Sequence, residues 1–399
     1  MEMEQCKETV LIVHNYYQIP GGEDTVVRNE KELLEEHGHK VILYTRNNSE
    51  LNQLSKVGKL LLPFTTIFNF RTYKEIKKLI REEQVDVVHV HNTLNLISPA
   101  VYYAARTCRK PVVQTIHNFR LLCPGATFYR DGHICEDCVN HGLQCAVKHK
   151  CYRGSFVQTL ACALNLYFHR MTGVYRKINY ICLTKFNREK LLLLPGLRSD
   201  QVYVKPNFTK QEPKSTAEIV ERENFFLYAG RLDPLKGIEK LLKAWMQMGQ
   251  NAPKLVICGS GPLEEWCRQT IQENQLNMVE FLGQTKWDEV QKLMGKTRAI
   301  ILPTQWYEGF PMTIVEAYSQ GTPVIGPDMG NVGDLIEEGI TGWKYSMNNE
   351  NALQERVQFA MMQGTDYMGI YAEYEKNYTP QINYKQLMEI YRKVLTQHE

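Results

Sequence analysis

Short apolar, β-branched runs alternate with longer amphipathic stretches along this chain. In the front half, the runs at 9–14 (T-V-L-I-V-H), 40–45, 85–91 (V-D-V-V-H-V-H), 111–116 and 178–183 predict strands. Helices fit between them at about 23–37, 71–83, 97–107 and 155–171. In the back half, strands are predicted at 225–230, 254–259, 279–282, 298–303 and 322–326, again separated by helical segments. Near-continuous apolar strands alternating with helices imply parallel sheets covered on both faces. The expected class is therefore α/β, with two Rossmann-like domains facing a cleft. The polar stretch after Lys205-Pro206-Asn207 marks the boundary, giving domains at 1–207 and 208–380. A last segment, 381–399, carries a helix at about 384–398 that is expected to pack back on the first domain.

Ligands of open parallel sheets bind outside the carboxyl ends of the strands. The polar residues at those ends are His14-Asn15, His91-Asn92, His117-Asn118, Gly230-Arg231, Gly259-Ser260-Gly261 and Thr304. Gly21-Gly22 follows the first strand and directly precedes a helix, so the backbone there can approach an anionic ligand. The spacing is not G-x-G-x-x-G, which disfavours a dinucleotide.

Composition is that of a soluble globular protein of 399 residues. No apolar run is long enough to span a bilayer, and the acidic N-terminus is unlike a signal peptide. A cytoplasmic location follows as an expectation, and with it 11 cysteines that are not a disulfide framework. The net charge of +3 conceals an asymmetry: residues 1–200 hold 27 Lys+Arg against 19 Asp+Glu, and the remainder 20 against 25. A basic front half suggests an anionic partner on that side.

The stretch from Trp306 to Asp334 carries the densest chemistry. A strand at 298–304 is followed by Glu308 in a loop, Pro311 in the first helical turn and Glu316 in the second. The N–H groups of Met312 and Thr313 then form a seat for an anionic or hydroxyl-rich ligand. Upstream, Arg231 and Lys236 offer a planar fork and a point charge, suited to clamping a diphosphate and stabilising its departure. The turn 259–262 (G-S-G-P) and Gly283-Gln284 add backbone that can approach a nucleotide.

The motif Glu308-Gly-Phe-Pro-x4-Glu316-Ala, with G-T-P-V-I ahead of G-x-x-x-D-L-I, resembles glycosyltransferase family 4 of the GT-B architecture. Gly230-Arg231…Lys236-Gly237 and G-S-G-P fit the same pattern in the same order, and P-G-G-E with T-I-H-N-F-R-L-L-C-P resembles a bacterial exopolysaccharide and capsule subgroup. The resemblance implies a nucleotide-diphosphate sugar donor, with Arg231 and Lys236 on its diphosphate and Gly22 closing over the same phosphates. Gly230, Gly261 and Gln284 would line the nucleotide, and Glu316 would hold its ribose. Glu308 and the backbone of Phe310, Pro311, Met312 and Thr313 would meet the sugar, and His117 would bond a sugar hydroxyl near the reacting centre. It further implies retention of anomeric configuration by front-face attack, a polysaccharide or lipid-diphosphate-linked acceptor, and work at the inner face of the cytoplasmic membrane. With no D-x-D cluster after a strand, no catalytic divalent metal is expected.

Two rival readings stand beside it. A nucleotide-sugar epimerase or hydrolase would share the architecture, but a hydrolytic Glu308/Glu316 pair leaves Arg231 and Lys236 without a role. A basic zinc-containing nucleic-acid-binding protein leaves the whole 230–316 constellation idle, so no nucleic acid is expected as partner.

Two features lie outside this core. The insertion at about 119–154 holds Cys123, Cys135, Cys138 and Cys151, a plausible four-thiolate structural zinc set. Cys145 is the competing ligand, and His133, His141 and His149 are substitutes. Residues 56–81 interleave apolar and basic positions, which fits peripheral membrane contact or, more commonly, a buried helix with a charged face.

Overall fold

The computed structural model describes residues 7–18, 21–210 and 214–398. The chain divides into two compact units, Met1–Pro206 with Asn383–Glu399, and Asn207–Ile382.

The first unit is built on a parallel six-stranded sheet: β1 (Thr9–Tyr16), β2 (Lys40–Asn47), β3 (Val87–Asn92), β4 (Val112–Ile116), β7 (Asn179–Cys182) and β8 (Val202–Val204). A two-stranded hairpin, β5 (Tyr129–Arg130) and β6 (His133–Ile134), stands apart in the 119–154 insertion. The strand order is β2-β1-β3-β4-β7-β8, so direction along the sheet reverses between β1 and β3. Val10, Leu11, Ile12 and Val13 of β1 are all fully buried, because helices cover both faces and leave no solvent side to alternate toward.

The second unit repeats the plan with β9 (Phe225–Ala229), β10 (Lys254–Cys258), β11 (Val279–Gly283), β12 (Ala299–Ile301), β13 (Val324–Pro327) and β14 (Gly342–Tyr345), ordered β11-β10-β9-β12-β13-β14. Its apolar residues fall into two cores. Phe226, Tyr228, Leu255, Ile257 and Ile301 face Trp245, whereas Leu227, Val256, Ile300 and Val324 face Ile314 and Tyr318. Alternate residues of one strand thus serve opposite faces. The reversal lies between β9 and β12.

Several elements differ from the sequence expectation. β8 and β14 are three and four residues long and are not predicted by the patterning. The helix expected over 97–107 begins at Ala100, because Pro99 takes the cap position. The closing helix is Pro380–Thr396, and its later residues join the first unit: the Tyr384 hydroxyl lies 2.8 Å from His39 Nε2, and Tyr391 is fully buried.

The region 56–81 is two helices, not one. Lys56–Ile67 ends at Phe68, and Phe70–Glu82 starts afresh with the Asn69 side chain accepting from the N–H groups of Arg71 and Thr72. The second is an ordinary amphipathic helix, burying Thr72, Ile76 and Ile80. The first buries only Thr66 and turns Val57, Leu60 and Phe64 outward, with 65–73% of each exposed. Buried-helix packing is therefore wrong for it. It is held mainly by its end: Asn165 Nδ2 donates to Thr66 O at 2.6 Å, and His169 Nε2 lies 2.8 Å from Ile67 O.

Candidate active site

In the second unit the chemistry gathers at the reversal between β9 and β12, the place where open parallel sheets bind their ligands. Asp233 caps a short 3-10 turn, Pro234–Lys236, by accepting from Lys236 N at 3.2 Å. Gly237 follows at φ +73°, where any Cβ would lie 1.8 Å from Pro303 O, so this loop closes against the β12 loop only with glycine. The Lys236 ammonium then donates to both Glu308 oxygens, at 2.8 and 3.0 Å.

Glu308 is almost wholly buried. The Thr304 hydroxyl lies 2.9 Å from Oε1, and Asn331 Nδ2 donates to the carbonyls of Glu308 and Gly309. Sequence patterning singles out neither Trp287 nor Asn331. Asn331 acts across more than twenty positions of chain, a link that no local period encodes. Arg231 remains more than half exposed, with Nε 3.3 Å from Asp233 Oδ2, so its guanidinium is available to an incoming anion.

The glycine turn at 259–262 does structural work first. Gly230 N donates to Cys258 O, Leu232 N to Ser260 O, and Leu263 N to Leu232 O. A Cβ on Gly261 would lie 2.4 Å from Leu232 O, so Gly261 allows the Arg231 loop to be laced to its neighbour. Gln284 is exposed beyond β11.

The helix after the motif is Met312–Tyr318, seven residues long. Pro311 stands at its cap with ψ 98°, ahead of the first turn and not within it. Met312 and Thr313 supply its first two N–H groups, which precede any intrahelical bond. Glu316 is held above the usual carboxylate range by burial, although the Trp287 indole N–H bonds to it and works the other way. Trp287 is half exposed and opens the helix Trp287–Lys296.

In the first unit, Gly22 opens the helix Gly22–Glu36. The Asp24 carboxylate accepts from Gly21 N at 2.9 Å and lies 2.8 Å from His14 Nε2. Nothing lies within 4 Å of where a Gly22 Cβ would be. Glu23 sits against Tyr17, and Asn92 Nδ2 donates to it at 2.9 Å; burial and the neighbouring Asp24 push its carboxyl up to about 8.

His117 heads a row of imidazoles. Its Nε2 lies 3.0 Å from His91 Nδ1, and His91 in turn stacks on His89 at 4.5 Å. Beneath them Glu30 lies 2.9 Å from His89 Nδ1, 3.5 Å from His91 Nε2 and 3.2 Å from Lys205 Nζ. Burial alone would raise the Glu30 pKa, but Lys205 and His89 outweigh it and hold the group well below its usual range. Burial and the adjacent imidazoles keep His91 (about 4) and His117 neutral. One proton lies between His91 Nδ1 and His117 Nε2, and the tautomers of the two rings set which nitrogen donates it. Glu30, His89 and His91 crowd their ligand atoms within 4.8 Å, yet the buried Lys205 ammonium already supplies the positive charge there. Glu30, His89 and Lys205 make an ion-paired core beneath the row.

Residues 209–392 match the family of glycosyl transferases group 1, and residues 20–134 match glycosyltransferase family 4. The chain thus carries the domains of both glycosyltransferase models, one in each half. This glycosyltransferase is 25% identical to an uncharacterised glycosyltransferase of Methanocaldococcus jannaschii over 356 residues, 87% of each chain. It is 23% identical to the alpha-monoglucosyldiacylglycerol synthase of Streptococcus pneumoniae over 84% of its own length and 74% of that protein's. The fold of Anabaena HepE, solved in complex with UDP, covers 96% of this glycosyltransferase and 98% of that chain, with a TM-score of 0.64 at 18% identity. Two parallel-sheet Rossmann-like units of this kind are the GT-B architecture.

Proposed function

We propose that this glycosyltransferase moves a sugar from a nucleotide-diphosphate sugar, with retention, onto a lipid-diphosphate-linked or polysaccharide acceptor at the cytoplasmic face of the membrane. The observation that carries the reading is the Lys236–Glu308 ion pair beside an exposed Arg231 at the reversal of the second sheet. Glycosyl transfer gathers negative charge on the departing diphosphate, and fixed cations stabilise it without reorganising. Lys236 keeps a third N–H after serving both Glu308 oxygens, and Arg231 adds its fork. Glu316, with Trp287, is assigned to the ribose, and the backbone from Phe310 to Thr313 to the sugar. Solved UDP complexes of a protein with the same fold support a nucleotide-sugar donor.

Of the two retaining routes, the carboxylates favour front-face attack over double displacement. Glu308 is committed to Lys236 and Thr304, and burial favours the neutral form of Glu316, so neither is a free nucleophile. The acceptor oxygen forms its bond to the anomeric carbon on the face from which the diphosphate leaves. The bond to the phosphate oxygen breaks, and that oxygen takes the acceptor proton. His117 Nδ1 is assigned to a sugar hydroxyl.

The acceptor side is assigned to the first unit. A groove of about 460 Å³ is walled by Leu51, Leu62, Pro63 and Val157 and carries Lys59 and Arg153. Apolar walls with two cations suit a lipid tail joined to a diphosphate. The outward Val57, Leu60 and Phe64 of the neighbouring helix suit the bilayer that holds such a lipid. No described helix is long and apolar enough to cross a membrane. The similarity to alpha-monoglucosyldiacylglycerol synthase supports a lipid acceptor. Incubation with a panel of nucleotide sugars, with and without lipid-diphosphate acceptors, tests the reading by mass spectrometry. Acceptor-dependent mass gain is expected; donor turnover without acceptor would favour the epimerase or hydrolase.

A further inference from the structure

The insertion at 119–154 has little regular structure of its own. Its regular elements are a two-residue hairpin pair and two short helices, Asp137–Asn140 and Gln144–Lys148. Ala126 and Phe128, neither of them glycine, hold left-handed backbone at φ +68° and +50°. Such conformations cost on the order of 1 kcal/mol each and persist where something fixes them.

The four cysteines Cys123, Cys135, Cys138 and Cys151 come from separate pieces of this insertion; the Cys138 thiol meets the Cys123 sulfur, and Cys151 lies across Gly125 from Cys123. Cys123 follows the tight turn in which its N–H donates to Phe119 O at 2.9 Å. Its sulfur accepts from the Cys138 thiol and from the N–H groups of Phe128, Gly125 and Ala126. The left-handed residues thus aim donors at that sulfur. Cys135 leaves the hairpin with its N–H on Phe128 O at 2.8 Å, and its sulfur accepts from Asp137 N. The Cys138 sulfur accepts from Ala146 N. Cys151 and Cys123 flank Gly125: a Cβ there would lie 3.4 Å from Cys151 Cβ and 3.6 Å from Cys123 Sγ. Backbone N–H groups pointed at sulfur stabilise thiolates, as the outer shell of a metal centre must.

We propose that Cys123, Cys135, Cys138 and Cys151 bind one structural zinc ion that fixes the 119–154 insertion. Zinc takes four thiolates tetrahedrally at about 2.3 Å, displacing their protons and leaving the centre negative. Arg130 meets that charge, with its guanidinium against Cys135 and bonded to Cys151 and, at 3.0 Å, to Asp137. No three of the sulfurs lie within 4.8 Å of one another among the described residues, so binding draws the insertion inward. The three competing histidines are exposed. The consequence reaches the groove. Tyr152 and Arg153 follow Cys151 directly and both line the groove, so a fixed insertion places one of its two basic groups.

The test is metal analysis of the full-length chain purified without chelator, alongside Cys135→Ser and Cys145→Ser. About one zinc per chain is expected in the parent and in Cys145→Ser, with at least a tenfold loss in Cys135→Ser. Should Cys135→Ser fail to fold, cobalt replacement in the parent decides, since four thiolates give intense sulfur-to-cobalt absorption. A folded, metal-free parent would overturn the site. So would loss of zinc in Cys145→Ser, an iron–sulfur chromophore, or a Cys123–Cys138 disulfide. None of these readouts depends on transferase activity, so the zinc site and the assigned reaction fail separately.

Discussion

Replacing Lys236 by alanine separates two jobs that one ammonium performs. It neutralises Glu308, whose side chain is only 6% exposed, and it is assigned to the departing diphosphate. Removing it strands a carboxylate with Thr304 as its remaining side-chain donor. Breaking a buried pair costs about 3–5 kcal/mol. Because the Lys236 side chain is 31% exposed, water takes up part of that, so about 1–3 kcal/mol is expected, a fall in Tm of several degrees. Losing a preorganised donor to a developing oxyanion costs roughly 10²–10³ in kcat. The double variant Lys236→Ala with Glu308→Gln distinguishes the two. Removing the stranded charge should recover most of the Tm and leave kcat depressed. Thermal unfolding and steady-state transfer on the same preparations read both. If the double variant regains wild-type kcat, Lys236 serves only to neutralise Glu308, and its assignment to the leaving group is wrong.

Other variants probe different parts of the molecule. Gly22→Ala should change stability by no more than about 1 kcal/mol, since its Cβ meets nothing, while weakening donor binding; unchanged affinity would remove Gly22 from the phosphate site. Gly261→Ala should lower Tm, because its Cβ meets Leu232 O at 2.4 Å, and an unchanged Tm would contradict that packing. The folded state holds the Glu23 proton up to about pH 8, whereas the unfolded chain releases it near the ordinary 4.5. Stability should therefore fall as pH rises through that window and level off above it, and Glu23→Gln should flatten the slope in urea titrations; an equal slope in both proteins would refute the shift. Leu60→Ser with Phe64→Ser should abolish flotation with anionic vesicles while leaving Tm unchanged, because both side chains are largely exposed; undiminished flotation would exclude that helix as the membrane contact.

The sheets are legible in the sequence because strands buried on both faces read as unbroken apolar runs, as in Val10–Val13. The same rule fails for Val202–Val204 and Gly342–Tyr345, which are too short to form a run and include Tyr203, Gly342 and Lys344. Polar residues at strand ends are legible by position alone, which is why Arg231 and Lys236 stand out. Asn331 and Trp287 do not, because their partners lie far away in sequence. The same holds for Glu30 and Lys205, which meet 175 positions apart beneath the histidine row. For 56–81, the patterning marks the second helix but not the separate Lys56–Ile67 helix before it, nor which face finds a partner.

The most direct test is the anomeric configuration of the product. Purified enzyme is given the nucleotide sugar it turns over and a lipid-diphosphate acceptor, and the new linkage is read by NMR. The expected product gains one sugar with the configuration of the donor, and Arg231→Ala forms it far more slowly. An inverted linkage, or donor consumed equally without acceptor, would contradict front-face transfer.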